Sequence, residues 1–258
     1  MTGVVTSISY APMKGLGLVH VEEVELELTG VRDNRRFHLI TGEGRLASGN
    51  LAGTLVQVAA TADLDGSTLS LRFPDGSTLD GPVVLGEPVE TSFWGRQVAG
   101  RLVDGAFAEA LSSFTGRSLR LVRVNEPGAG SDRGIGGSVS VVSSGTLDRL
   151  AQEAGKEHID GRRFRMLFGI DGVGAHAEDG WVGRRVAFGD AVVRLQALVG
   201  RCAVTTQDPE TGVRDLDTLR ILRGYRPNEG EEPLPIGVWG GVEQPGRVRV
   251  GDPVEPLR

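Results

Sequence analysis

Residues 200–212 have the sequence Gly200-Arg201-Cys202-Ala203-Val204-Thr205-Thr206-Gln207-Asp208-Pro209-Glu210-Thr211-Gly212 and contain the only cysteine of the chain. The apolar residues 192–199 before them predict a β-strand. If that strand continues, its side chains alternate between two faces, so that Cys202 and Thr206 lie on the same side. The Asp-Pro-Glu-Thr-Gly run at 208–212 predicts a turn that ends the strand, because proline has no N–H to donate to a sheet.

The cysteine has two interpretations. A lone cysteine usually behaves as a small, buried and inert apolar residue. Here it follows Arg201, and polar residues surround it. A neighbouring cation favours the thiolate form of the side chain, and thiolates bind soft metal ions. The residues alone therefore leave open whether Cys202 is a core residue or a metal ligand.

The composition predicts a mainly β protein. The chain has 258 residues, enough for one large β-rich domain or two small ones. Its 39 glycines and 12 prolines, with few aromatic residues, favour many short strands and turns. The net charge of −6 argues against nucleic acid as a partner, although local basic pockets are compatible with it.

The cysteine content and the apolar runs predict the compartment. One cysteine excludes an intrachain disulfide, which favours a reducing environment. The N-terminus lacks the basic and apolar regions of a signal peptide, and no apolar run approaches ~18 residues. We therefore expect a soluble, cytoplasmic protein that does not bind a membrane.

The first hundred residues predict a β-barrel or a β-sandwich. Runs rich in β-forming residues alternate with Gly, Asp-Gly and Pro-Asp-Gly turns, at the spacing of about 8–12 residues that is typical of all-β units. The last of these runs is expected to close the unit. The predicted strands are Val4 to Tyr10, Leu18 to Leu28, Arg36 to Ile40, Thr54 to Ala62, Leu69 to Phe73 and Phe93 to Val98.

The rest of the chain predicts further strands and a few short helices. Residues 125–137 are rich in glycine but are not a dinucleotide-binding fingerprint, because no strand–helix–strand unit surrounds them. We expect a surface loop or a mobile lid there. Ser144 is expected to cap the second helix. The predicted helices are Phe107 to Phe114, Thr146 to Ala154 and Leu216 to Arg223, and the predicted strands include Leu119 to Val124, Val139 to Val142 and two between Trp239 and Val250.

Three groups of basic residues are candidates for binding an anion. Lys14 lies on the glycine-rich loop after the first strand, and Arg35 lies in an arginine pair before a later one. Backbone N–H groups of such loops, together with Lys and Arg side chains, suit a phosphate group. The alternative is that both are ordinary turn residues with solvated charges. The third group, Arg162, Arg163 and Arg165, cannot be buried without anionic partners.

These segments together resemble the MOSC proteins, a family named after the C-terminal domain of molybdenum cofactor sulfurase. The run from Arg201 to Gly212 is similar to the signature of the family. The Pro12-Met13-Lys14-Gly15 loop and the Gly30 to Phe37 element are similar to its N-terminal β-barrel domain. The resemblance covers nearly the whole chain, and it implies a mainly β (α+β) fold with a few short helices. An N-terminal MOSC β-barrel domain is expected at residues 1–100 and a β-barrel MOSC domain at residues 101–258.

The resemblance also implies roles for individual residues. It makes Cys202 the catalytic residue and the protein ligand of molybdenum, and it makes Lys14 and Arg35 ligands of the phosphate of the molybdenum cofactor. Arg165 matches an arginine that reaches the pterin in the family. The other residues that the resemblance places at the cofactor are Gly15, Ser143, Ser144, Arg201, Thr206 and Asp208.

The chain departs from the family pattern at a few positions. Asn34 stands where the family usually has aspartate, and Gly15 stands where some members have serine. Met166 and Leu167 replace a Pro-Asn pair, so the asparagine contact of the reductase-type members is missing. The loss of the Pro-Asn pair concerns the substrate more than the cofactor, whereas glycine at position 15 lacks one hydroxyl contact of the family.

The resemblance implies an oxidoreductase of the amidoxime-reducing type, which reduces small N-hydroxylated or other N-oxygenated substrates. The chain has no further cysteines for an iron–sulfur cluster and no recognisable flavin or nicotinamide motif, so electrons are expected from a separate protein. The alternative is a carrier that binds the cofactor or its sulfur and hands it on without turnover. A third interpretation, thiol hydrolysis by Cys202 with a histidine, ranks last because the spacing pairs none of the four histidines with it, namely His20, His38, His158 and His176.

Overall fold

The computed structural model of the chain describes residues 2–47, 49, 51–226 and 232–257. Strands dominate this part of the protein, and the α-helices are few and short, so the mainly β fold class is confirmed. Among the described residues, no helix has the length and apolar character needed to cross a bilayer.

The described residues form eighteen strands. In chain order they are β1 (Gly3–Tyr10), β2 (Val19–Val21), β3 (Glu23–Leu26), β4 (Phe37–Thr41), β5 (Leu46–Ala47), β6 (Ala59–Ala62), β7 (Thr68–Arg72), β8 (Thr78–Pro82), β9 (Val84–Phe93), β10 (Arg96–Asp104), β11 (Leu119–Val124), β12 (Val139–Ser143), β13 (Phe168–Asp171), β14 (Arg185–Phe188), β15 (Ala191–Leu198), β16 (Val238–Gln244), β17 (Gly246–Arg249) and β18 (Pro253–Pro256).

Three α-helices and several single turns of 3₁₀-helix connect the described strands. The α-helices are α1 (Ala106–Thr115), α2 (Ser144–Glu153) and α3 (Thr218–Tyr225). Helix α1 stops at Gly116, which adopts the left-handed conformation with φ 65°, as helix-terminating glycines commonly do. The 3₁₀ turns are Gly53–Gln57, Ile135–Gly137, Gly161–Phe164, Ala177–Trp181 and Ala203–Thr206.

Seven strands close into a barrel. The hydrogen-bonded order is β13-β12-β16-β15-β14-β18-β1, and β1 pairs back to β13, with Ile8 opposite Phe168. Strand β2 pairs with the C-terminal end of β1. Inside, Phe168 and Phe188 stack with their ring centroids 5.2 Å apart, and the aliphatic side chains of the barrel strands pack around them. Closure leaves few unpaired strand edges, and the aromatic and aliphatic side chains fill the interior.

A second group of strands forms a separate core. The sheet β5-β4-β11-β10-β9 and the three-stranded sheet β6-β7-β8 enclose Leu39, Leu55, Leu71 and Leu121, and α1 contributes Leu111. All five side chains are fully buried. Burying a leucine side chain of this kind contributes about 1.5–3 kcal/mol, so this group has a hydrophobic core of its own.

The sheets do not divide the chain at residue 100. Strand β1, at the start of the chain, belongs to the closed barrel and β2 pairs with it, whereas β11, which follows residue 100, lies in the second group of strands. The sequence-based division into residues 1–100 and 101–258 therefore stays a prediction about domains, and sheet membership follows a different, interleaved pattern.

Two predicted strands have other structures. Within Thr54 to Ala62 only β6 is extended, and a 3₁₀ turn precedes it. At that turn the backbone of Gly53 packs against Gly212, so that a Cβ atom on Gly53 would lie 2.4 Å from the Gly212 carbonyl oxygen. The predicted strand Phe93 to Val98 is instead the tip of the β9–β10 hairpin. Phe93 and Arg96 pair across a two-residue turn that lacks the usual Asn-Gly signal.

Candidate anion and metal site

Cys202 lies at the start of a short helical turn and not on a strand. Strand β15 ends at Leu198, and Cys202 precedes the 3₁₀ turn Ala203–Thr206. The carbonyl oxygen of Cys202 accepts hydrogen bonds from the backbone N–H of Thr205 at 3.1 Å and from its hydroxyl at 3.0 Å. The predicted alternation of Cys202 and Thr206 on one strand face is therefore wrong, because threonine side chains bond to backbone carbonyls and favour a turn here. The side chain of Cys202 is exposed.

Arg201 anchors the backbone that carries Cys202. Its guanidinium donates to the carbonyl oxygens of Phe164 and Ile236, each at 3.1 Å, and to the sulfur of Met166 at 3.0 Å. The guanidinium also stacks over the Phe164 ring, 5.1 Å from its centroid. Burial lowers the pKa of Arg201 to about 9. Since these donors are used by the protein, Arg201 positions Cys202 next to the segment that carries Arg165.

Thr206 and Asp208 hold the shape of the loop after the cysteine. The Thr206 hydroxyl donates to the Ala203 carbonyl at 2.7 Å. The Asp208 carboxylate accepts from the N–H of Glu210 at 3.1 Å and from the N–H and hydroxyl of Thr211 at 2.8 and 2.9 Å. Those hydrogen bonds, first of all the one from the Thr211 backbone, hold the pKa of Asp208 below its usual range. A direct contact of either side chain with a cofactor stays a prediction.

Lys14 forms an ion pair with a residue from the loop at 125–137. Its Nζ lies 2.5 Å from Oδ1 of Asp132, and the indole N–H of Trp94 donates to the same oxygen at 3.1 Å. The Lys14 side chain is 10% exposed and that of Asp132 is 43% exposed. Beneath the ammonium group lies the ring of Phe93, with its centroid 5.5 Å away. The loop is therefore packed against the site, so the expectation of a plain surface loop is corrected, and the mobile lid stays a prediction.

Arg35 and Arg165 lie beside this ion pair. Their positive charges act on Lys14, and Arg35 acts on Arg165 as well. The guanidinium of Arg165 donates to the Leu16 carbonyl at 2.7 Å, which brings it to the loop that carries Lys14. We call Lys14, Arg35, Arg165 and Asp132 the cation cluster. Residues far apart in the sequence thus meet at one place.

The charges in the cation cluster are out of balance. Burial lowers the pKa of Lys14; Asp132 opposes that shift, and both arginines reinforce it. Burial, and then the charge of Arg35, lower the pKa of Arg165 to about 10, so it still carries a full charge at neutral pH. Partial burial alone would raise the pKa of Asp132, but Lys14 and Arg35 hold it well below its usual range. Three cations therefore face one carboxylate.

The other two arginines of the 162–165 segment have their own anionic partners. Arg163 is buried and donates to both oxygens of Asp215, at 2.7 and 2.6 Å, and to the Gln207 carbonyl at 2.7 Å. Arg162 pairs with Asp160 and with Glu210. We call Arg163 with Asp215 and the Gln207 carbonyl the Arg163 clamp. It ties the Cys202 loop to the rest of the protein, whereas Arg165 is left for the cation cluster.

Gly15 lies next to Lys14 in a conformation that suits glycine. Its φ is +92°, a backbone conformation that residues with a side chain rarely adopt. No atom lies within 4 Å of the position that a Cβ would take. The backbone of this turn is therefore uncovered beside the ammonium group.

Ser143 and Ser144 are both bonded within the protein. The N-cap of α2 is Ser143, whose hydroxyl accepts from the Thr146 N–H at 3.1 Å and donates to Glu178 at 2.8 Å. The expectation that Ser144 caps the helix is wrong, because the helix starts one residue earlier than expected. The Ser144 hydroxyl donates to Asp171 at 2.5 Å. No hydrogen bond links either serine to the cation cluster in the described part of the chain, and their predicted role at the cofactor is untested.

Asp132 and Trp94 are the site residues that sequence reasoning missed. Asp132 lies in a glycine-rich stretch that was interpreted as a plain loop. The sequence feature that marks the contact of this loop with the site is Gly130, since a Cβ there would lie 2.0 Å from the Arg35 carbonyl oxygen. Only glycine lets this loop approach Arg35 so closely, but the sequence alone does not say what the loop approaches.

Three of the four histidines have contacts elsewhere in the protein. His20 hydrogen-bonds to Ser9, and His38 is buried and hydrogen-bonds to Thr91. His176 packs against the ring of Tyr225. In the ranges that the structure describes, no histidine hydrogen-bonds to Cys202, so the geometry gives no support to the thiol-hydrolase interpretation.

Two family models match the chain in succession. The MOSC N-terminal beta barrel domain matches residues 2–118 and the MOSC domain matches residues 132–255. Together they span most of the 258 residues. The chain therefore belongs to the MOSC family, in the form that combines both domains. Membership of this family associates the chain with the molybdenum cofactor.

Curated relatives match over almost the whole chain. Mitochondrial amidoxime-reducing component 1 of Mus musculus is 28% identical over 284 residues, covering 98% of this chain and 82% of that protein. The Homo sapiens protein of the same name has the same identity and coverage. Mitochondrial amidoxime reducing component 2 of Homo sapiens is 39% identical over 99 residues, or 35% of this chain and 29% of that protein.

The residues present fit an anionic group that carries a soft metal. The cation cluster has a surplus of positive charge beside an uncovered glycine turn. Cys202 offers an exposed sulfur, the donor type that soft metals prefer. Arg201 joins the two parts, because it precedes Cys202 and bonds to the carbonyl of Phe164, the residue before Arg165.

Proposed function

We propose that the protein binds the molybdenum cofactor and uses it to reduce N-hydroxylated or other N-oxygenated compounds, with electrons from a separate protein. Lys14, Arg35 and Arg165 surround the anionic end of the cofactor, and Cys202 is the protein ligand of molybdenum. The observation that carries the proposal is the charge imbalance of the cation cluster. Cations that share one carboxylate are held at a cost, and an anionic ligand removes that cost.

The relatives support the reaction. The names of the similar mammalian proteins describe components that reduce amidoximes, which are N-hydroxylated compounds. The match with component 1 runs through both domains and is not confined to one motif. This favours a shared reaction type over a shared fold alone.

Each site residue has a defined task in this proposal. When bound, the cofactor would supply the two electrons that break the N–O bond of the substrate, and the oxygen would leave as water with two protons taken from solvent. Lys14, Arg35 and Arg165 fix the position of its anionic end through charge-assisted hydrogen bonds. Cys202 holds the metal at the exposed start of its 3₁₀ turn, and Arg201 keeps that turn beside Phe164. Because the Cys202 side chain is exposed, a substrate reaches this side of the site from solvent.

The test begins with the metal. Purified wild-type protein is expected to contain close to one molybdenum per chain by elemental analysis, and Cys202→Ser is expected to contain almost none. Serine is nearly isosteric but does not ionise at neutral pH, so it does not replace a thiolate on a soft metal. Prepared free of cofactor, the two proteins should have the same circular dichroism spectrum and melting temperature, because the Cys202 side chain is exposed. Equal molybdenum in both would contradict the assignment of Cys202.

Turnover separates a reductase from a carrier. Loaded wild-type protein, given a chemical reductant, is expected to convert benzamidoxime to benzamidine, and Cys202→Ser is expected not to. Loaded protein that shows no turnover but activates an apo-molybdoenzyme in a transfer assay would replace the reductase with the carrier.

A further inference from the structure

Asp132 is the one carboxylate of the described residues that acts on both Lys14 and Arg165. Its Oδ1 accepts from the Lys14 ammonium at 2.5 Å and from the Trp94 indole at 3.1 Å. Both of these donors use the same oxygen. The cation cluster holds three positive charges against one negative charge, and the charge of Arg96, which also interacts with Asp132, adds to this surplus.

The protein fixes Asp132 in this place. Gly130 lies against the backbone of Arg35, where any side chain would collide with the Arg35 carbonyl. Arg96 donates to the carbonyls of Ala129 and Ser131, at 2.9 and 2.6 Å, on either side of Gly130. The hydroxyl of Ser131 in turn donates to the Gly134 carbonyl at 2.6 Å. These three contacts fix the segment before Asp132. The negative charge of Asp132 is therefore a fixed part of the site.

Trp94 adds a second indication that this position of Asp132 matters. Trp94 has φ 53°, in the left-handed region, and its side chain is exposed. A bulky residue is unfavourable there, and the two-residue turn it forms with Gly95 favours asparagine at that point. What Trp94 provides in return is its hydrogen bond to Asp132. Strain of this kind persists where the surrounding structure requires it, and it is common at functional sites.

We propose that Asp132 is a specificity-determining residue, which lowers the positive surplus of the cation cluster by one charge and so favours a phosphate monoester over a more highly charged anion. This rests on the proposed function and adds to it, because it states which anion the site selects. A phosphate monoester carries a charge of about −1.5 to −2 at neutral pH. Inorganic pyrophosphate and nucleoside di- and triphosphates carry more.

The physical basis is a balance between attraction and desolvation. The attraction between the site and an anion grows in proportion to the charge of the anion. The cost of removing the anion from water grows with the square of that charge in the simple Born picture. An optimal ligand charge therefore exists, and it rises when the positive charge of the site rises. Without the charge of Asp132, the optimum moves from a monoester towards a diphosphate.

The experiment compares two anions on two matched variants. The full-length chain is prepared free of cofactor, and the binding of phenyl phosphate and of inorganic pyrophosphate is measured by calorimetry at pH 7.5. Asp132→Asn removes the carboxylate of the cation cluster. Asp215→Asn is the control, because Asp215 is also 43% exposed and also pairs with a buried cation, Arg163, but lies in the Arg163 clamp.

In Asp132→Asn, the affinity for pyrophosphate relative to phenyl phosphate is expected to rise about tenfold over wild type. Asp215→Asn is expected to keep the wild-type ratio within about twofold. Asp132→Ser removes the same charge with a different side chain, so agreement of the two Asp132 variants excludes an effect of the asparagine itself.

The outcomes distinguish the two proposals. An unchanged ratio in both Asp132 variants, or an equal change in Asp215→Asn, would overturn the role of Asp132 and leave the anion site in place. If the wild type binds neither anion, the anion site of the proposed function fails, and the role of Asp132 fails with it.

Discussion

The cation cluster and the Arg163 clamp contain ion pairs of nearly the same form. Lys14 and Asp132 lie 2.5 Å apart with side chains 10% and 43% exposed, and Arg163 and Asp215 lie 2.6 Å apart with side chains 8% and 43% exposed. What differs is the surroundings. Arg163 also donates to a backbone carbonyl, whereas two further cations face Lys14. The geometry of an ion pair therefore does not reveal its purpose, and the charge balance around it does.

The comparison also explains why two arginines separated by one residue have different tasks. Arg163 lies within the 3₁₀ turn Gly161–Phe164, while Arg165 follows it with φ 51°, in the left-handed region. This change of backbone direction sends one side chain to Asp215 and the other to Leu16. The left-handed conformation of Arg165 therefore determines where its side chain lies, so the backbone at this position is part of the site.

The largest expected effect is on anion binding. Arg165→Met is expected to weaken the binding of phenyl phosphate to the cofactor-free protein by roughly ten- to a hundredfold, because a charge-assisted hydrogen bond contributes about 1.5–3 kcal/mol. Arg163→Met is the matched change in the Arg163 clamp and should alter binding by less than about twofold. Calorimetric titration measures both. An equal loss in the two variants would remove the distinction between the cluster and the clamp.

The second expected effect is on stability, and it has the reverse pattern. Arg163→Met is expected to reduce the free energy of unfolding by about 2–3 kcal/mol, because the Gln207 carbonyl and Asp215 lose a charged donor. Asp215 is partly solvated, which keeps the cost below that of a fully buried pair. The melting temperature should fall by roughly 5–10 °C.

Arg165→Met is expected to leave the stability of the cofactor-free protein unchanged or slightly higher. Loss of the hydrogen bond to Leu16 is offset by relief of the repulsion from Lys14 and Arg35. Scanning calorimetry of both variants without cofactor is the measurement. A large loss of stability in Arg165→Met would mean that Arg165 is structural.

The sequence predicted the chemistry of these regions better than their backbone. The turn spacing and glycine content predicted the mainly β class, and the motif resemblance predicted the family. Strand β11 was predicted with the correct ends. Lys14, Arg35 and Arg165 were predicted to lie at one site because each of them matches a motif of the family.

The remaining features depend on contacts that a single sequence does not contain. The β9–β10 hairpin was missed because Trp94-Gly95 is not a preferred turn sequence, and tertiary contacts with Asp132 override that preference. The strand expected to continue to Cys202 ends at Leu198, because Arg201 turns towards Phe164 and Ile236. In both cases a long-range hydrogen bond contributes to the local structure, and at Cys202 it acts together with the local hydrogen bonds of Thr205 and Thr206.

The third expected effect extends the comparison to His38, which lies beside Lys14. Burial, and then the charge of Lys14, lower the pKa of His38 to about 3. The unfolded chain has a histidine pKa of about 6.5, so the neutral form is favoured on folding. The contribution of neutral His38 to the free energy of unfolding is fully present above about pH 6.5 and is lost as the pH falls from there towards about 3. At pH 5 the loss is about 2 kcal/mol.

Urea unfolding at pH 7.5 and pH 5.0 measures this loss. In His38→Gln the difference between the two pH values should shrink by about 2 kcal/mol. His20→Gln removes an exposed histidine and should retain the difference of the wild type. If His38→Gln behaves like His20→Gln, His38 is not held neutral beside the cation cluster.

The smallest expected effect concerns the turn that carries Trp94 to the cation cluster. Trp94 and Gly95 both have positive φ, 53° and 92°, as in the two-residue hairpin turn that favours Asn-Gly. Trp94→Asn should therefore stabilise the hairpin by about 0.5–1 kcal/mol, since asparagine tolerates this conformation better. The same change removes the indole donor from Asp132, so the affinity for phenyl phosphate should change by about two- to threefold.

Gly95→Ala is the control for the turn alone, and it should destabilise the protein by about 1–2 kcal/mol, because an alanine at φ 92° is strained. Thermal unfolding and calorimetric titration of both variants separate the two roles. A Trp94→Asn protein that is less stable than wild type would show that the indole contributes more to the fold than the turn strain removes.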